Sequence, residues 1–591
     1  MSEPKKTETM TGAEMIVRAM QDQDVAHVFG YPGGAVLPIY DALFQQNSVE
    51  HILVRHEQGA VHSAEGYARS SGKVGVVLVT SGPGATNAVT GLTDALLDSI
   101  PLVCFTGQVP THLIGSDAFQ ECDTVGITRH CTKHNYLVKR IEDLPRIIHE
   151  AFYVARSGRP GPVVIDVPKD VQFASGVYTG PDKVEHKSYR PKVDGDIARI
   201  EAALALITKA KKPVFYTGGG IINAGPEASR LLREFARLTG FPVTSTLMGL
   251  GAFPANNPQW LGMLGMHGTY EANLAMHDCD VMINLGARFD DRITGRLDAF
   301  SPNSKKIHVD IDPSSINKTV KVDIGIVGDC ARVLAEMLRL WKEKAYAVDA
   351  AALKGWWGEI NKWRAKNSLG YLNSKEIIKP QYAIERLYAL TKERNTYVTT
   401  EVGQHQMWAA QHFHFDEPNR WMTSGGLGTM GYGLPAAIGV QKAHPDALVI
   451  DIAGEASILM NMQEMSTAAQ YRLPVKVFIL NNEYMGMVRQ WQELLHGGRY
   501  SESYSQALPD FVKLAEAYHA KGIRCDDPAK LDAAILEMID YPGPVIFDCL
   551  VAKEENCLPM IPSGKAHNEM ILPDFTGAIG DVIDAKGKQL V

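Results

Sequence analysis

No CxxC pair occurs among the eight cysteines (Cys104, Cys122, Cys131, Cys279, Cys330, Cys525, Cys549, Cys557). That spacing argues against a zinc site. So few cysteines in so long a chain also argue against a disulfide frame, and reduced thiols are the expectation. No apolar run approaches the roughly 18 residues that a bilayer span requires. The N-terminal MSEPKKTETM lacks the apolar stretch of a signal peptide. Net charge is only −8 in 591 residues, which gives no reason to expect nucleic acid or an anionic membrane as partner. Short repeats and low-complexity tracts are absent as well. These exclusions leave a soluble, cytoplasmic globular protein. What is present is 45% hydrophobic and 21% charged, and at this length three domains are the natural expectation.

Short β-branched runs alternate with helical patterns, as at 74–80 (VGVVLVT), 163–167, 213–216, 281–285, 447–452 and 475–480. Continuous apolar strands are expected where helices cover both faces of a parallel sheet. The alternation therefore predicts α/β architecture with doubly wound parallel sheets. Polar stretches at 178–196 and within 341–381 read as linkers. They predict domains at 10–180, 195–345 and 380–560, then a covering arm at 561–591 with Pro562 and Gly564.

Each third carries a glycine-rich turn directly after a strand: Ser81-Gly82-Pro83-Gly84, Gly218-Gly219-Gly220 and Gly454-Glu455-Ala456-Ser457. Such turns let backbone approach a ligand and aim helix N-terminal amides at phosphates. A tight strand-to-helix turn explains any one of them. Three in three α/β units point to a phosphorylated cofactor, or to more than one.

In the last third, Glu455 follows one strand and the next strand ends at Asn481-Asn482. A carboxylate and an amide oxygen at the ends of neighbouring strands can share a hard cation, and magnesium takes oxygen ligands together with phosphate and water. The pattern predicts a magnesium-bridged diphosphate; a plain surface carboxylate is the competing reading. It resembles the signature of thiamine-diphosphate enzymes, Gly-Asp-Gly followed by Asn-Asn, but reads Gly-Glu-Ala here. The resemblance implies Glu455, Asn482 and the Tyr484 backbone on the metal. It implies Gly454, Ala456, Ser457, Met485, Gly486 and Met487 around the diphosphate, with Val402, Gly403, Gln404 and His405 at the start of the same domain.

In the first third, Glu57 follows a short strand. A carboxyl group among apolar residues (Leu53, Val61, Ala64) can share a proton. The resemblance gives Glu57 the role of bonding the aminopyrimidine ring and favouring the imino tautomer that deprotonates the thiazolium. A helix-dipole partner is the competing reading. Pro32 also falls among the cofactor residues. The loop SGGLGTMG at 424–431 is similar to the family's bending loop, with Met430 under the bend and the Gly428 carbonyl facing the pyrimidine amine.

Further segments narrow the resemblance to the catalytic subunits of acetohydroxyacid synthases: GYPGGA at 30–35, TGQVP at 106–110, DAFQE at 117–121, GMLGMHG at 262–268, GARFDDR at 286–292 and MVRQWQ at 487–492. It implies that pyruvate loses carbon dioxide on thiamine diphosphate. The resulting hydroxyethyl carbanion then attacks pyruvate or 2-ketobutyrate, giving acetolactate or acetohydroxybutyrate for branched-chain amino-acid synthesis. The catalytic set it implies is Glu57, Gly34, Gln120, Lys169, Arg292 and Trp491. Arg292 takes the acceptor carboxylate, for which a fixed guanidinium is apt. Ala35, Phe119, Pro110 and Met266 line the channel in this reading. FAD is implied in a Rossmann-like middle domain, although no GxGxxG stands there. Its implied contacts are Arg159, Gly218, Gly219, Gly220, Thr246, Leu247, Met263, Leu264, Gly265, Met266, His267, Gly286, Ala287, Arg288, Asp290, Asp310, Ile311, Asp329 and Cys330.

A flavin-dependent pyruvate oxidase and a non-catalytic paralogue are the alternatives. The Arg292 and Trp491 pair argues against the first, and the retained Glu57 and Asn482 against the second. In the family the active sites form between subunits, so a homodimer or tetramer is implied, with a separate small regulatory subunit.

Overall fold

The computed structural model describes residues 8–180, 184 and 186–573. Three six-stranded parallel sheets follow one another along the chain. The first runs, in spatial order, Glu50–Leu53, His27–Tyr31, Gly75–Val79, Leu102–Gln108, Pro162–Pro168, His134–Leu137. Numbered by sequence within the sheet, that order is 2-1-3-4-6-5. The third has the same order: Trp421–Met422, Thr396–Thr400, Leu448–Gly454, Lys476–Asn481, Val545–Leu550, Lys521–Cys525. The central sheet differs: Trp260–Met263, Val243–Ser245, Pro213–Thr217, Val281–Leu285, Lys305–Asp310, Ile324–Val327, which is 3-2-1-4-5-6. That is the order of dinucleotide-binding sheets. Each is a doubly wound sheet, as the sequence pattern predicts. Val76, Val77, Leu78 and Val79 are all 0% exposed, because helices cover both faces.

Residues 341–381 are only partly a linker. Helix Ala350–Arg364 buries Trp356 and Ile360 in the central core, and the Trp356 indole donates to the Pro213 carbonyl at 3.0 Å. Its lysines and polar residues occupy the outward face, which is what makes the segment read as polar. In the other stretch, residues 181–183 and 185 lie outside the described residues. The arm packs against segments that follow two strands of the central sheet: the Ile561 amide donates to the Met266 carbonyl at 2.7 Å, and His567 Nε2 lies 2.6 Å from the Ile293 carbonyl. The remainder of the predicted arm, 574–591, is outside the described residues. No helix among the described residues is long and apolar enough to cross a membrane.

The first and third sheets are joined by two crossing helices, Glu57–Ser71 and Gly433–Ala443. They touch backbone to backbone. A Cβ on Gly439 would lie 1.8 Å from the Ser63 oxygen, and one on Gly66 would lie 2.1 Å from the Ala436 oxygen. One helix begins at Glu57, and the other follows the loop at 424–431.

Candidate functional site

In an open parallel sheet, loops diverge where strand order reverses and leave a crevice at the carboxyl ends. In the central sheet the reversal falls between Pro213–Thr217 and Val281–Leu285. The turns that follow these strands touch: the Gly218 amide donates to the Leu285 carbonyl at 3.0 Å and the Gly220 amide to the Gly286 carbonyl at 2.9 Å. A Cβ on Gly218 would stand 2.4 Å from the Gly286 oxygen, so the close approach needs glycine.

A cavity of about 840 Å3 opens above these turns. Its wall includes Arg159, Gly219, Gly220, Thr246, Leu247, Met263, Leu264, Met266, His267, Gly286, Ala287, Arg288, Asp290, Asp310, Ile311, Asp329 and Cys330. Of the residues expected around a flavin, Gly218 and Gly265 are missing from the wall. Gly265 sits behind it at φ +100, its amide bonded to Asn273 Oδ1 at 2.8 Å. The volume and the glycine cradle fit a dinucleotide. Burial pushes His267 down to about 4, so its ring is neutral at pH 7. Leu97, Asp98, Ser99, Gly158 and Met248 also line the wall, and sequence reasoning missed them. Ser99 caps a helix of the first sheet at φ 60 and binds Arg159 Nε at 2.8 Å. Only the packing of the first sheet against the second brings it there.

The cavity continues to the third sheet through Val402, Gly403, Ser424, Leu427, Gly428, Met430, Met487 and Trp491, with Arg292 beside them. Gln404, His405, Gly454, Glu455, Ala456, Ser457, Asn482, Tyr484, Met485 and Gly486 are not part of this wall. Several of them meet at the strand ends. Gly454 pairs with Leu480, so Glu455 and Asn482 follow neighbouring strands closely. The Asn482 amide nitrogen donates to Gln404 Oε1 at 3.3 Å, and its oxygen accepts from the Tyr484 amide at 3.2 Å. Glu455 is 1% exposed, and its Oε1 has no hydrogen-bond partner among the described residues. Burial pushes its carboxyl up to about 8. A buried, unpartnered carboxylate oxygen beside an amide oxygen is the donor set that a divalent cation completes. The departure from Gly-Asp-Gly is compatible with the backbone: Ala456 lies in the first turn of helix Glu455–Ile458, where no glycine is required.

The remaining residues lie at the carboxyl end of the first sheet. Glu57 is 9% exposed, and Asn87 Nδ2 donates to its Oε2 at 3.0 Å. Pro32, Gly34 and Ala35 follow strand His27–Tyr31, Pro110 lies just beyond Leu102–Gln108, and Lys169 follows Pro162–Pro168. A Cβ on Gly34 would meet nothing within 4 Å. Gln120 has φ 60, and Phe119 is 88% exposed. None of these residues lines the cavity.

The chain matches three family profiles in order. Residues 10–127 match the N-terminal TPP binding domain of thiamine pyrophosphate enzymes, 200–337 the central domain and 401–549 the C-terminal TPP binding domain. It is 53% identical over 570 residues to the acetolactate synthase isozyme 3 large subunit of Escherichia coli, covering 96% of this chain and 99% of the relative. It is 52% identical to the acetolactate synthase large subunit of Haemophilus influenzae, covering 95% and 98%. It is 47% identical to the mitochondrial acetolactate synthase catalytic subunit of Saccharomyces cerevisiae, covering 95% and 84%. With thiamine pyrophosphate domains along its length and such identity from end to end, the chain belongs to the thiamine-pyrophosphate-dependent acetolactate synthase large subunits.

Proposed function

We propose that this chain condenses two 2-keto acids as the catalytic subunit of an acetolactate synthase. Two pyruvates give acetolactate and carbon dioxide; with 2-ketobutyrate as acceptor the product is acetohydroxybutyrate. Both belong to branched-chain amino-acid synthesis. The observation that carries this reading is the single cavity in which Arg292, Met266 and Trp491 meet both the 424–430 loop and the central glycine turns.

Thiamine diphosphate, when bound, would supply an acidic ring carbon that once deprotonated is a nucleophile toward a keto carbon, and a cationic ring able to take up the electron pair left by decarboxylation. The protein's own groups bind, orient and move protons. Glu455, Asn482 and the Tyr484 carbonyl would hold magnesium beside the diphosphate. Glu57 would share a proton with the aminopyrimidine, while Asn87 Nδ2 donates to its Oε2 at 3.0 Å. Arg292 offers paired N–H donors to the acceptor carboxylate. Trp491 shapes the space beside the acceptor's alkyl group, where one methylene is worth about 1–3 kcal/mol. FAD would occupy the central cradle, and since the condensation has no net redox step it would serve there as a structural group.

Glu57 lies apart from the cavity in one chain, and the exposed Phe119 stands on the same sheet end. Both support an assembly in which Glu57 of one chain faces Glu455 of another. The smallest active unit is therefore a homodimer, completed by a separate regulatory subunit. The presence of Arg292 and Trp491 in the cavity favours the synthase over a flavin-dependent oxidase. The test is acetolactate formation from pyruvate, thiamine diphosphate and magnesium, with and without FAD, with oxygen uptake followed in parallel. Acetolactate without stoichiometric oxygen consumption is expected. Oxygen consumption with acetate as product would move the chain to the oxidases.

A further inference from the structure

The loop at 424–431 is held from outside its own sheet. Ser424 Oγ donates to Asp94 Oδ1 at 2.6 Å. The same oxygen accepts from the Gly428 amide at 3.0 Å and the Thr429 amide at 2.8 Å. A hydroxyl has one proton and two lone pairs, and all three are used here. Because the proton is committed to Asp94, both lone pairs face the loop amides. Without the carboxylate, the hydroxyl is free to rotate and the two amides lose an aligned acceptor.

Asp94 lies on helix Val89–Asp98 of the first sheet, four residues before Asp98. The Asp98 carboxylate accepts from the Gly425 amide at 2.9 Å and the Gly426 amide at 2.7 Å. Residues four apart share a helix face, so one face of this helix fixes four amides of the loop, two directly and two through Ser424. Asp94 is 0% exposed and Ser424 1%. Behind Asp94, His62 Nδ1 stands 2.6 Å from Glu65 Oε2 and 3.9 Å from Asp94 Oδ2. At its far end the loop is held by Glu401, whose Oε2 accepts from the Gly431 amide at 2.5 Å.

Gly428 and Met430 line the cavity, whereas Asp94 does not. We infer that Asp94 is a positioning residue for the cofactor: acting through Ser424, it fixes the Gly428 carbonyl and the Met430 side chain against the aminopyrimidine of thiamine diphosphate. The inference rests on the functional reading above, in which this loop bends the cofactor. It adds a dependence between domains, since a helix of the first sheet sets the cofactor pose in the third.

The experiment uses Asp94→Ala, Asp94→Asn and Ser424→Ala in the full chain, with flavin content and melting temperature recorded for each. Asparagine keeps an oxygen that Ser424 can reach; alanine does not. Asp94→Ala and Ser424→Ala are expected to weaken magnesium-dependent thiamine diphosphate binding by about tenfold or more, the worth of one well-placed buried hydrogen bond. They should lower kcat more than they raise KM for pyruvate, and should weaken the near-ultraviolet circular dichroism of the bound cofactor. Asp94→Asn is expected to bind the cofactor within roughly threefold of the parent, and FAD content to stay at the parent level, because the acceptor is conserved and the flavin cradle untouched. Parent-like thiamine diphosphate affinity in both alanine variants overturns the inference. So does an Asp94→Asn variant as weak as Asp94→Ala. If Asp94→Ala does not fold, Ser424→Ala, which removes one oxygen, decides the question. A parent chain that binds no thiamine diphosphate overturns the functional reading itself, a separate result.

Discussion

Replacing Gly439 by alanine tests how the two halves of the site are held together. The added Cβ would stand 1.8 Å from the Ser63 oxygen, and real Cβ atoms essentially never come within 3.0 Å. The helices must therefore part by at least about 1.2 Å, and both contacts at the crossing are backbone, with no side-chain end to yield. Overpacking of this kind costs about 1–3 kcal/mol. The catalytic consequence is larger. One helix starts at Glu57 and the other follows the 424–431 loop, so a shift of this size moves both groups that the proposed function sets against the cofactor. A displacement of about 1 Å costs on the order of a hundredfold in rate. The assay is acetolactate formation at saturating thiamine diphosphate, beside a thermal melt of the same preparation. Gly355→Ala is the control: it is exposed on helix Ala350–Arg364 with nothing within 4 Å of the added Cβ, and should be neutral or stabilise by about 0.5–1 kcal/mol. A Gly439→Ala chain with parent melting temperature and kcat would refute the reasoning.

Glu57→Gln should lower kcat by about a hundredfold or more, the usual worth of a proton-sharing group. Flavin content should be retained, since Glu57 does not line that cradle, and single-turnover decarboxylation of pyruvate is the check. Glu455→Ala should abolish magnesium-dependent binding of thiamine diphosphate, read by calorimetry with and without the metal; unchanged affinity would remove Glu455 from the metal site. Glu464 gives a pH prediction. Burial pushes its carboxyl from 4.5 up to about 7, against hydrogen bonds from Thr467 and the Arg55 amide. The folded chain thus binds this proton more tightly than the unfolded chain. Its ionisation costs nothing below about pH 4.5 and the full amount above about pH 7, so stability falls as pH rises through that window. Glu464→Gln should gain on the order of 3 kcal/mol over the parent at pH 8 and little at pH 4.5, measured by urea unfolding at both pH values. An equal gain at both would show that ionisation is not the cause.

Much of the fold was legible because its signals are local. Apolar β-branched runs such as 74–80 and 475–480 announce strands buried on both faces, and their alternation with helical patterns announces parallel sheets. Trp356 shows where that reading stops. A helix with one buried stripe and a polar outer face looks like linker when its packing partner is far away in the sequence. The glycine turns were equally visible, because close backbone contact leaves a residue-type trace: Gly218 and Gly286 must be glycine to touch.

By itself, then, the sequence determined the α/β class, the glycine turns that follow its strands, and the family to which the chain belongs. The tertiary structure decided what no local pattern encodes. It decided that the outer sheets share the order 2-1-3-4-6-5 while the central sheet runs 3-2-1-4-5-6. It brought Leu97, Asp98 and Ser99 of the first sheet into the central cavity. It set Asp94 behind Ser424, 330 positions away in the chain, and left Glu57 outside the cavity that holds Arg292 and Trp491. The physical reason is the same in each case. Periodicity and propensity act over a few residues, whereas strand order, domain contact and the pairing of buried polar groups are fixed by which distant surfaces exclude water together.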